Sequence, residues 1–236
     1  MATLSTTRNA PARPRRRGIS INESIDVPTW VVDFKSFRRW ARSDDFPRRG
    51  QFAYLGDHLW VSDMGEELFT HNIVKTEFTS VLASVCKKRK LGYIFSDRAL
   101  LTHPKTTLST EPDLVFASYR SVRAKKVTFA RGEGDREVEI SGSPDMVLEV
   151  VSKWSVRKDN VDLRLLYWLS GVGEYWLVDA RSREPKFQIL KRGRTGYTEV
   201  RPQAEGWTKS TVWDASFRLL TTKDEFGRPE YSVEVQ

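Results

Sequence analysis

One glutamate stands inside a run of apolar residues, and its position constrains what the chain can fold into. Glu149 is flanked by Met-Val-Leu on one side and by Val-Val on the other, within residues 144–152. A valine-rich run that is apolar on both faces and precedes a helical pattern is typical of a central strand in a covered sheet. A carboxylate in such a strand is costly to desolvate unless a positive charge meets it. The run therefore predicts a central strand with a charged partner near its carboxyl end.

The positive charge that meets Glu149 can come from two sources. A lysine or arginine would form a structural ion pair, which is a common reason for a buried carboxylate. A divalent cation would instead need a second carboxylate, because hard cations are held by several converging oxygens. Asp113 is the candidate, since it follows Pro112 and opens the apolar run Leu-Val-Phe-Ala. A proline just before a strand does not interrupt its ladder, so the residues alone leave both sources open.

Periodicity divides the rest of the chain into short elements. Residues 1–27 lack hydrophobic periodicity and predict a disordered basic tail, whereas residues 28–236 are predicted to form a single domain. Three stretches have the apolar spacing of helices, namely residues 30–42, 66–90 and 156–170. Short apolar runs between them predict strands, including hairpins at residues 52–61 and 186–200. Beyond the second hairpin, Trp207, Trp213 and Phe217 are predicted to cover the core.

Charge and cysteine content limit the partners and the compartment. The chain has 39 basic and 31 acidic residues, a net charge of +8, and five arginines lie in its first seventeen residues, namely Arg8, Arg13, Arg15, Arg16 and Arg17. This balance is compatible with a nucleic-acid partner but does not require one. The single cysteine, Cys86, fits a reducing compartment, and its apolar neighbours predict burial. Because the sequence has no membrane-spanning apolar stretch and no signal-peptide pattern, a cytoplasmic location is expected.

Several motifs together resemble one protein family. They are Pro112-Asp113, residues 144–152, Lys158-Asp159, Leu166-Tyr167 and the string Glu-Tyr-Trp-Leu-Val-Asp at residues 174–179. These motifs are similar to the Uma2 family, also called DUF820, of restriction-endonuclease-like proteins. The resemblance runs from about residue 52 to the second hairpin. It implies the α/β fold of PD-(D/E)xK nucleases, in which helices flank a mixed β-sheet core, here with an N-terminal and a C-terminal hairpin.

The resemblance also implies a metal site and an activity. Asp113 and Glu149 would bind Mg²⁺, for which Mn²⁺ can substitute, and the backbone carbonyl of Val150 would complete the protein's share of the ligands. The implied reaction is hydrolysis of DNA phosphodiester bonds by metal-activated water. Cutting both strands of a duplex calls for two sites, so a homodimer is expected.

The sequence departs from the family pattern at its lysine. The position two residues after Glu149 is Val151, and the helical position where the family often carries its lysine is Leu163. Lys158, near the start of the helix, is the predicted replacement, although it could also be an ordinary solvated lysine. The missing lysine supports an alternative function, in which a catalytically degenerate nuclease fold binds nucleic acid without cutting it.

Other charged residues are weaker candidates for the site. Arg164 could steady a phosphate but cannot act as a base, because guanidinium stays protonated, and Lys153 is a third choice for the lysine. Glu77 could add a carboxylate from the preceding long helix, although an ion pair at the edge of the core is the more common role. His71 has no His or Cys at metal-ligand spacing, so a zinc site is not predicted.

Overall fold

A central six-stranded mixed sheet carries the Asp113 and Glu149 segments. The computed structural model describes residues 18–20, 26–132 and 135–236. In spatial order, the strands of this central sheet are β14 (Tyr197–Glu199), β13 (Lys186–Arg192), β12 (Glu174–Asp179), β11 (Met146–Val150), β8 (Leu114–Ser118) and β5 (Gly92–Ser96). Strand β11 is parallel to β12 and antiparallel to β8. All five residues of β11 are buried, which confirms the prediction of a central covered strand.

A second six-stranded sheet covers one face of the central sheet. Its strands, in spatial order, are β4 (His58–Ser62), β3 (Gln51–Leu55), β7 (Leu108–Thr110), β6 (Leu100–His103), β10 (Glu137–Gly142) and β9 (Val127–Arg131). The predicted hairpin at residues 52–61 is confirmed as β3 and β4. The sequence pointed to one mixed sheet, and the structure differs because this hairpin begins a separate layer.

The two faces of β11 contact different layers. Met146, Leu148 and Val150 pack in the cluster that contains the long helix α2 (Ile73–Arg89). Val147 and Val151 pack in the cluster shared with the second sheet. Because side chains alternate along a strand, Glu149 lies on the face that looks toward the second sheet.

The remaining helices are short. Helix α1 spans Phe34–Ala41, α3 spans Tyr119–Arg123 and α4 spans Leu163–Leu169. Helix α1 begins four residues later than predicted because Asp33 caps it, accepting a 2.7 Å hydrogen bond from the Ser36 N–H. None of the helices in the described ranges is long and apolar enough to cross a membrane.

Two of the predicted helices start with a wider turn. A π-helical turn at Leu68–Asn72 precedes α2, and another at Lys158–Asp162 precedes α4. The sequence predicted continuous helices over both stretches. Such π-turns are frequent at functional sites because they change which side chains share a face, and both turns carry buried polar side chains.

The two ends of the chain depart from the sequence prediction. Residues 1–17 and 21–25 of the predicted tail lie outside the described residues, and β1 (Gly18–Ser20) pairs with β2 (Asp26–Pro28). The other end of the chain forms a three-stranded antiparallel sheet that the sequence did not predict. Its strands are β15 (Thr208–Ser210), β16 (Ala215–Lys223) and β17 (Pro229–Val235). Trp213 and Phe217 are buried, as predicted, and Trp207 is only half-buried.

The C-terminal sheet is attached to the central layer by two glutamates. Glu77 of α2 accepts a 2.9 Å hydrogen bond from the Val233 N–H, so it has a structural role at the edge of the core, although its partner is a backbone N–H and not the expected cation. Buried Glu174 accepts bonds of 2.6 Å from the Ser210 hydroxyl and 2.7 Å from the Thr211 N–H. The Cys86 side chain is buried, as predicted, in the apolar cluster between α2 and the central sheet.

Removal of the Glu174 carboxylate is expected to destabilise the fold strongly. Besides the bonds above, it accepts from the Thr211 hydroxyl, the Val212 N–H and the Trp176 indole. Glu174→Ala leaves the buried Ser210 hydroxyl and Trp176 indole, and the part-buried donors of Thr211 and Val212, without this acceptor, which should lower the free energy of unfolding by about 3 kcal/mol or more. Urea denaturation measures the loss, with exposed Glu184→Ala as the control. Equal effects of the two substitutions would contradict this role.

Candidate functional site

The two predicted carboxylates meet at one end of the β8–β11 pair. Leu114 is paired with Leu148, so the antiparallel register sets Asp113 opposite Glu149, one position beyond the ladder. The Asp113 carboxylate accepts a 2.7 Å hydrogen bond from the Val150 N–H. Asp113 is 9% exposed and Glu149 is 2% exposed, and both line one cleft together with Val150. The structure therefore brings these three predicted site residues together.

Glu149 has a hydrogen-bond donor but no close cation. Its carboxylate accepts a 2.6 Å bond from the Tyr167 hydroxyl. Within the described ranges, no lysine, arginine or histidine nitrogen lies within 4.0 Å of it. Burial raises the pKa of Glu149 well above its usual value, against the positive charge of Lys158. The structural ion pair considered for this residue is thus not formed.

Asp113 lies near two positively charged or protonatable groups. His71 Nε2 is 3.5 Å from Asp113 Oδ2, and Lys75 Nζ is 4.0 Å from Asp113 Oδ1. Burial raises the pKa of Asp113, and the charge of His71 and the bond from Val150 oppose that rise. Both contacts are longer than hydrogen bonds, so the carboxylate still has room for a closer cation.

Lys158 is buried at the cleft rather than solvated. Its ammonium lies 3.3 Å from Asp159 Oδ1 and 4.7 Å from the ring centre of Trp60 on β4. Burial lowers the pKa of Lys158, but Asp159, Glu149 and Asp113 together raise it above the usual lysine value. The side chain is therefore a fixed positive charge beside the predicted carboxylate pair.

Asp159 holds Lys158 from within the π-helical turn. The Ser155 hydroxyl donates a short hydrogen bond to Asp159 Oδ2, and buried Asp159 Oδ1 faces the Lys158 ammonium at 3.3 Å. Burial raises the pKa of Asp159, against the charge of Lys158. The wider turn allows two consecutive residues, Lys158 and Asp159, to be buried at the same cleft.

The charge balance of the cleft leaves room for a divalent cation. Lys75 contacts Glu66 at 2.7 Å, and Lys158 contacts Asp159 at 3.3 Å, so each lysine has its own carboxylate. Among the described residues, no lysine or arginine forms a hydrogen bond with either carboxylate of the predicted pair, and Lys75 lies 4.0 Å from Asp113. Two carboxylates and a backbone carbonyl that line one cleft are oxygen donors of the kind that a hard divalent ion prefers. The residues present therefore fit such an ion.

The comparison with protein families agrees with the motifs. The profile of the Uma2 family, described as "Putative restriction endonuclease", matches residues 34–217. The chain belongs to the Uma2 family. The structure is similar to the crystal structure of "a putative nuclease belonging to DUF820" from Anabaena variabilis ATCC 29413, with a TM-score of 0.51 and 17% sequence identity. The match covers 69% of this chain and 83% of that one, and it supports the nuclease-like fold. No curated protein matches the sequence.

The lysine position of this Uma2 protein is filled by a core residue. Leu163 is fully buried and packs in the cluster between the two sheets. Arg164 is exposed, and its guanidinium lies 3.4 Å from the Tyr197 carbonyl, so the structure does not bring it to the cleft. Lys153 is exposed, with its ammonium over the ring of Trp154 at the cleft edge. Of the three basic residues predicted for the site, Lys158 is the one that the structure buries at the cleft.

Three further polar residues at the site had no clear sequence signal. Glu66, His71 and Lys75 precede or begin α2, and ligand atoms of Glu66, His71 and Asp113 lie within 4.8 Å of one another. Lys75 holds both Glu66 oxygens at 2.7 Å. The neighbouring His71 and Lys75 lower the pKa of Glu66 to about 2, despite its partial burial. These residues are separated by five and four positions in the sequence. Only the π-helical turn explains how that spacing brings their side chains together.

Proposed function

We propose that this Uma2 protein is a Mg²⁺-dependent endonuclease that hydrolyses DNA phosphodiester bonds. Asp113, Glu149 and the carbonyl of Val150 would hold the cation, and Mn²⁺ could replace Mg²⁺. The observation that carries the proposal is the pair of buried carboxylates, of which Glu149 has no cationic nitrogen within 4.0 Å in the described residues. Family membership supports the nuclease class. A homodimer would provide one site for each strand.

The residues around the pair have distinct roles in this proposal. A divalent cation, when bound, supplies the charge that polarises a scissile phosphate and acidifies a water molecule. Tyr167 orients Glu149 through its hydroxyl. Lys158 places a permanent positive charge where negative charge builds on the phosphate, and such preorganised charges stabilise the transition state more than the bound substrate. Asp159 and Trp60 fix the lysine.

Incubation with DNA tests the proposal directly. Supercoiled, linear and single-stranded DNA would each be incubated with the full chain in Mg²⁺, in Mn²⁺ or in EDTA. We expect the metal ions to support nicking or linearisation of supercoiled DNA and EDTA to stop it. Cleavage that persists in EDTA, and that Asp113→Asn leaves unchanged, would contradict the assigned site.

A binding module is the second candidate function, and Leu163 is the observation that favours it. The family lysine position is part of the apolar core here, and a nuclease fold that lost this group could still bind nucleic acid. Wild-type protein that binds metal and DNA without cleaving any of the three substrates would favour this function. Cleavage by the wild type would exclude it.

Removal of the N-terminal arginines is expected to weaken DNA binding without changing the chemistry. Residues 1–17 carry five arginines and no acidic residue, and each phosphate contact contributes about 0.9 to the slope of log affinity against log salt. Deletion of residues 1–17 should therefore reduce the magnitude of this slope by at most about 4.5, the value for five phosphate contacts. Fluorescence anisotropy at several salt concentrations measures the slope of log affinity against log salt. Replacement of the five arginines by glutamine is the matched control. An unchanged slope would show that this segment does not contact phosphates.

A further inference from the structure

We infer that His71 is a nitrogen ligand of the cation held by Asp113 and Glu149, so that the centre binds Mn²⁺ more tightly than Mg²⁺. The inference rests on the proposed function, because it adds a ligand to the same centre. It concerns a residue that the motif pattern of the sequence does not mark, and it predicts which ion the protein carries.

The His71 ring lies beside Asp113, and its Nε2 faces the Asp113 carboxylate. The residue is 4% exposed and lines the cleft with Asp113 and Glu149. Its Nε2 lies 3.5 Å from Asp113 Oδ2, too far for a good hydrogen bond. Two ligands that bind one cation at about 2.1 Å, with bonds at right angles, stand about 3 Å apart. The ring therefore has close to the spacing at which it and Asp113 share an ion.

Glu66 faces the other nitrogen of the ring. His71 Nδ1 is buried, has no hydrogen-bond partner in the part of the chain that the structure describes, and lies 3.5 Å from Glu66 Oε2. Histidines that bind metals usually direct their second nitrogen at a carboxylate, which fixes the ring and leaves the first nitrogen free for the ion. Glu66 is thus a positioning residue, and a small movement of the ring completes its bond.

Lys75 decides on which side of the ring the ion binds. Its ammonium lies 2.7 Å from both Glu66 oxygens, compared with 4.0 Å from Asp113. A divalent cation between Glu66 and Nδ1 would stand against this ammonium. On the side of Nε2, the facing Asp113 carboxylate has no lysine this close among the described residues, so more of its negative charge is available to a cation.

An imidazole ligand changes the preference among divalent ions. Mg²⁺ prefers oxygen ligands in octahedral geometry and keeps much of its water, whereas imidazole nitrogen suits transition-metal ions. A centre of two carboxylates and one imidazole accepts Mn²⁺ and later transition metals at less cost than Mg²⁺. In this centre, His71 provides the preference for Mn²⁺ over Mg²⁺, and Asp113 and Glu149 provide the negative charge that binds the cation.

Spectroscopy of bound Mn²⁺ tests the ligand without measuring activity. Full-length protein would be titrated with Mn²⁺ by electron paramagnetic resonance, alone and in competition with Mg²⁺, and pulsed measurements would search for nitrogen hyperfine coupling. We expect this coupling in the wild type and in exposed His58→Gln, and its loss in His71→Gln. His71→Gln should weaken Mn²⁺ binding at least about tenfold and Mg²⁺ binding less than about threefold.

The outcomes separate this inference from the proposed function. Wild-type protein that binds Mn²⁺ without nitrogen coupling overturns the inference even if His71→Gln does not fold. An unchanged ratio of Mn²⁺ to Mg²⁺ affinity in folded His71→Gln overturns it as well, and leaves His71 as a structural group between two carboxylates. In both cases the proposed centre stands if Asp113→Asn abolishes Mn²⁺ binding. If Asp113→Asn binds Mn²⁺ like the wild type, the centre itself is wrong.

Discussion

Glu149→Gln is expected to abolish metal-dependent DNA cleavage. The carboxylate is one of two that can hold the ion, and an uncharged amide cannot replace its negative charge. We expect the rate of plasmid cleavage in saturating Mg²⁺ to fall by at least about a thousandfold, more than the loss of a single charge-stabilising group produces. The exposed Glu184→Gln variant is the control. A rate within tenfold of the wild type would show that Glu149 is not a ligand.

The same substitution should leave the metal-free fold intact. Glutamine keeps an oxygen that can accept the Tyr167 hydroxyl bond, now 2.6 Å long. It also removes a charge that burial disfavours, as the raised pKa of Glu149 shows. Thermal unfolding in EDTA should therefore give a midpoint no lower than that of the wild type. A large drop would mean that Glu149 stabilises the fold, and the loss of cleavage would then need another explanation.

Lys158→Met is expected to slow cleavage while sparing metal binding. Methionine fills the space beside Trp60 without the charge, so the variant loses the group that stabilises negative charge on the phosphate. We expect the cleavage rate to fall about a hundredfold or more. The Mg²⁺ affinity should stay unchanged or rise slightly, because a nearby positive charge is removed. Calorimetry and single-turnover cleavage measure the two effects separately.

Two controls make the Lys158 result interpretable. Lys158→Met leaves buried Asp159 without its ion-pair partner, which destabilises the protein, and a second change, Asp159→Asn, should restore stability but not the rate. Exposed Lys153→Met tests the other basic residue near the cleft. If Lys153→Met lost cleavage and Lys158→Met kept it, the lysine would be misassigned, although the carboxylate pair could still be correct.

The sequence predicts the carboxylate pair because its signals are local. The covered strand around Glu149 is evident from five apolar neighbours, and the proline before Asp113 marks the start of its partner strand. These local signals mark the two strands, whereas the family resemblance implied that their carboxylates share one site, and the structure shows that β8 and β11 are adjacent. Burial of Lys158 follows less directly, since its position depends on the start of the next helix.

The residues around the pair could not be predicted because they depend on distant contacts. Glu66, His71 and Lys75 reach Asp113 only through the π-helical turn before α2 and the packing of that helix on the central sheet. The second sheet was missed because its hairpin pairs with β7, about fifty residues later in the chain. Periodicity describes one segment at a time and does not reveal such pairings.

The position of a bound ion tests the central claim most directly. Crystals of the wild-type protein soaked in Mn²⁺ would be measured at a wavelength where manganese scatters anomalously. We expect one strong peak within about 2.5 Å of oxygens from both Asp113 and Glu149, and no peak there in Asp113→Asn crystals. A peak that contacts neither carboxylate, in protein that cleaves DNA with Mn²⁺, would contradict the proposed centre.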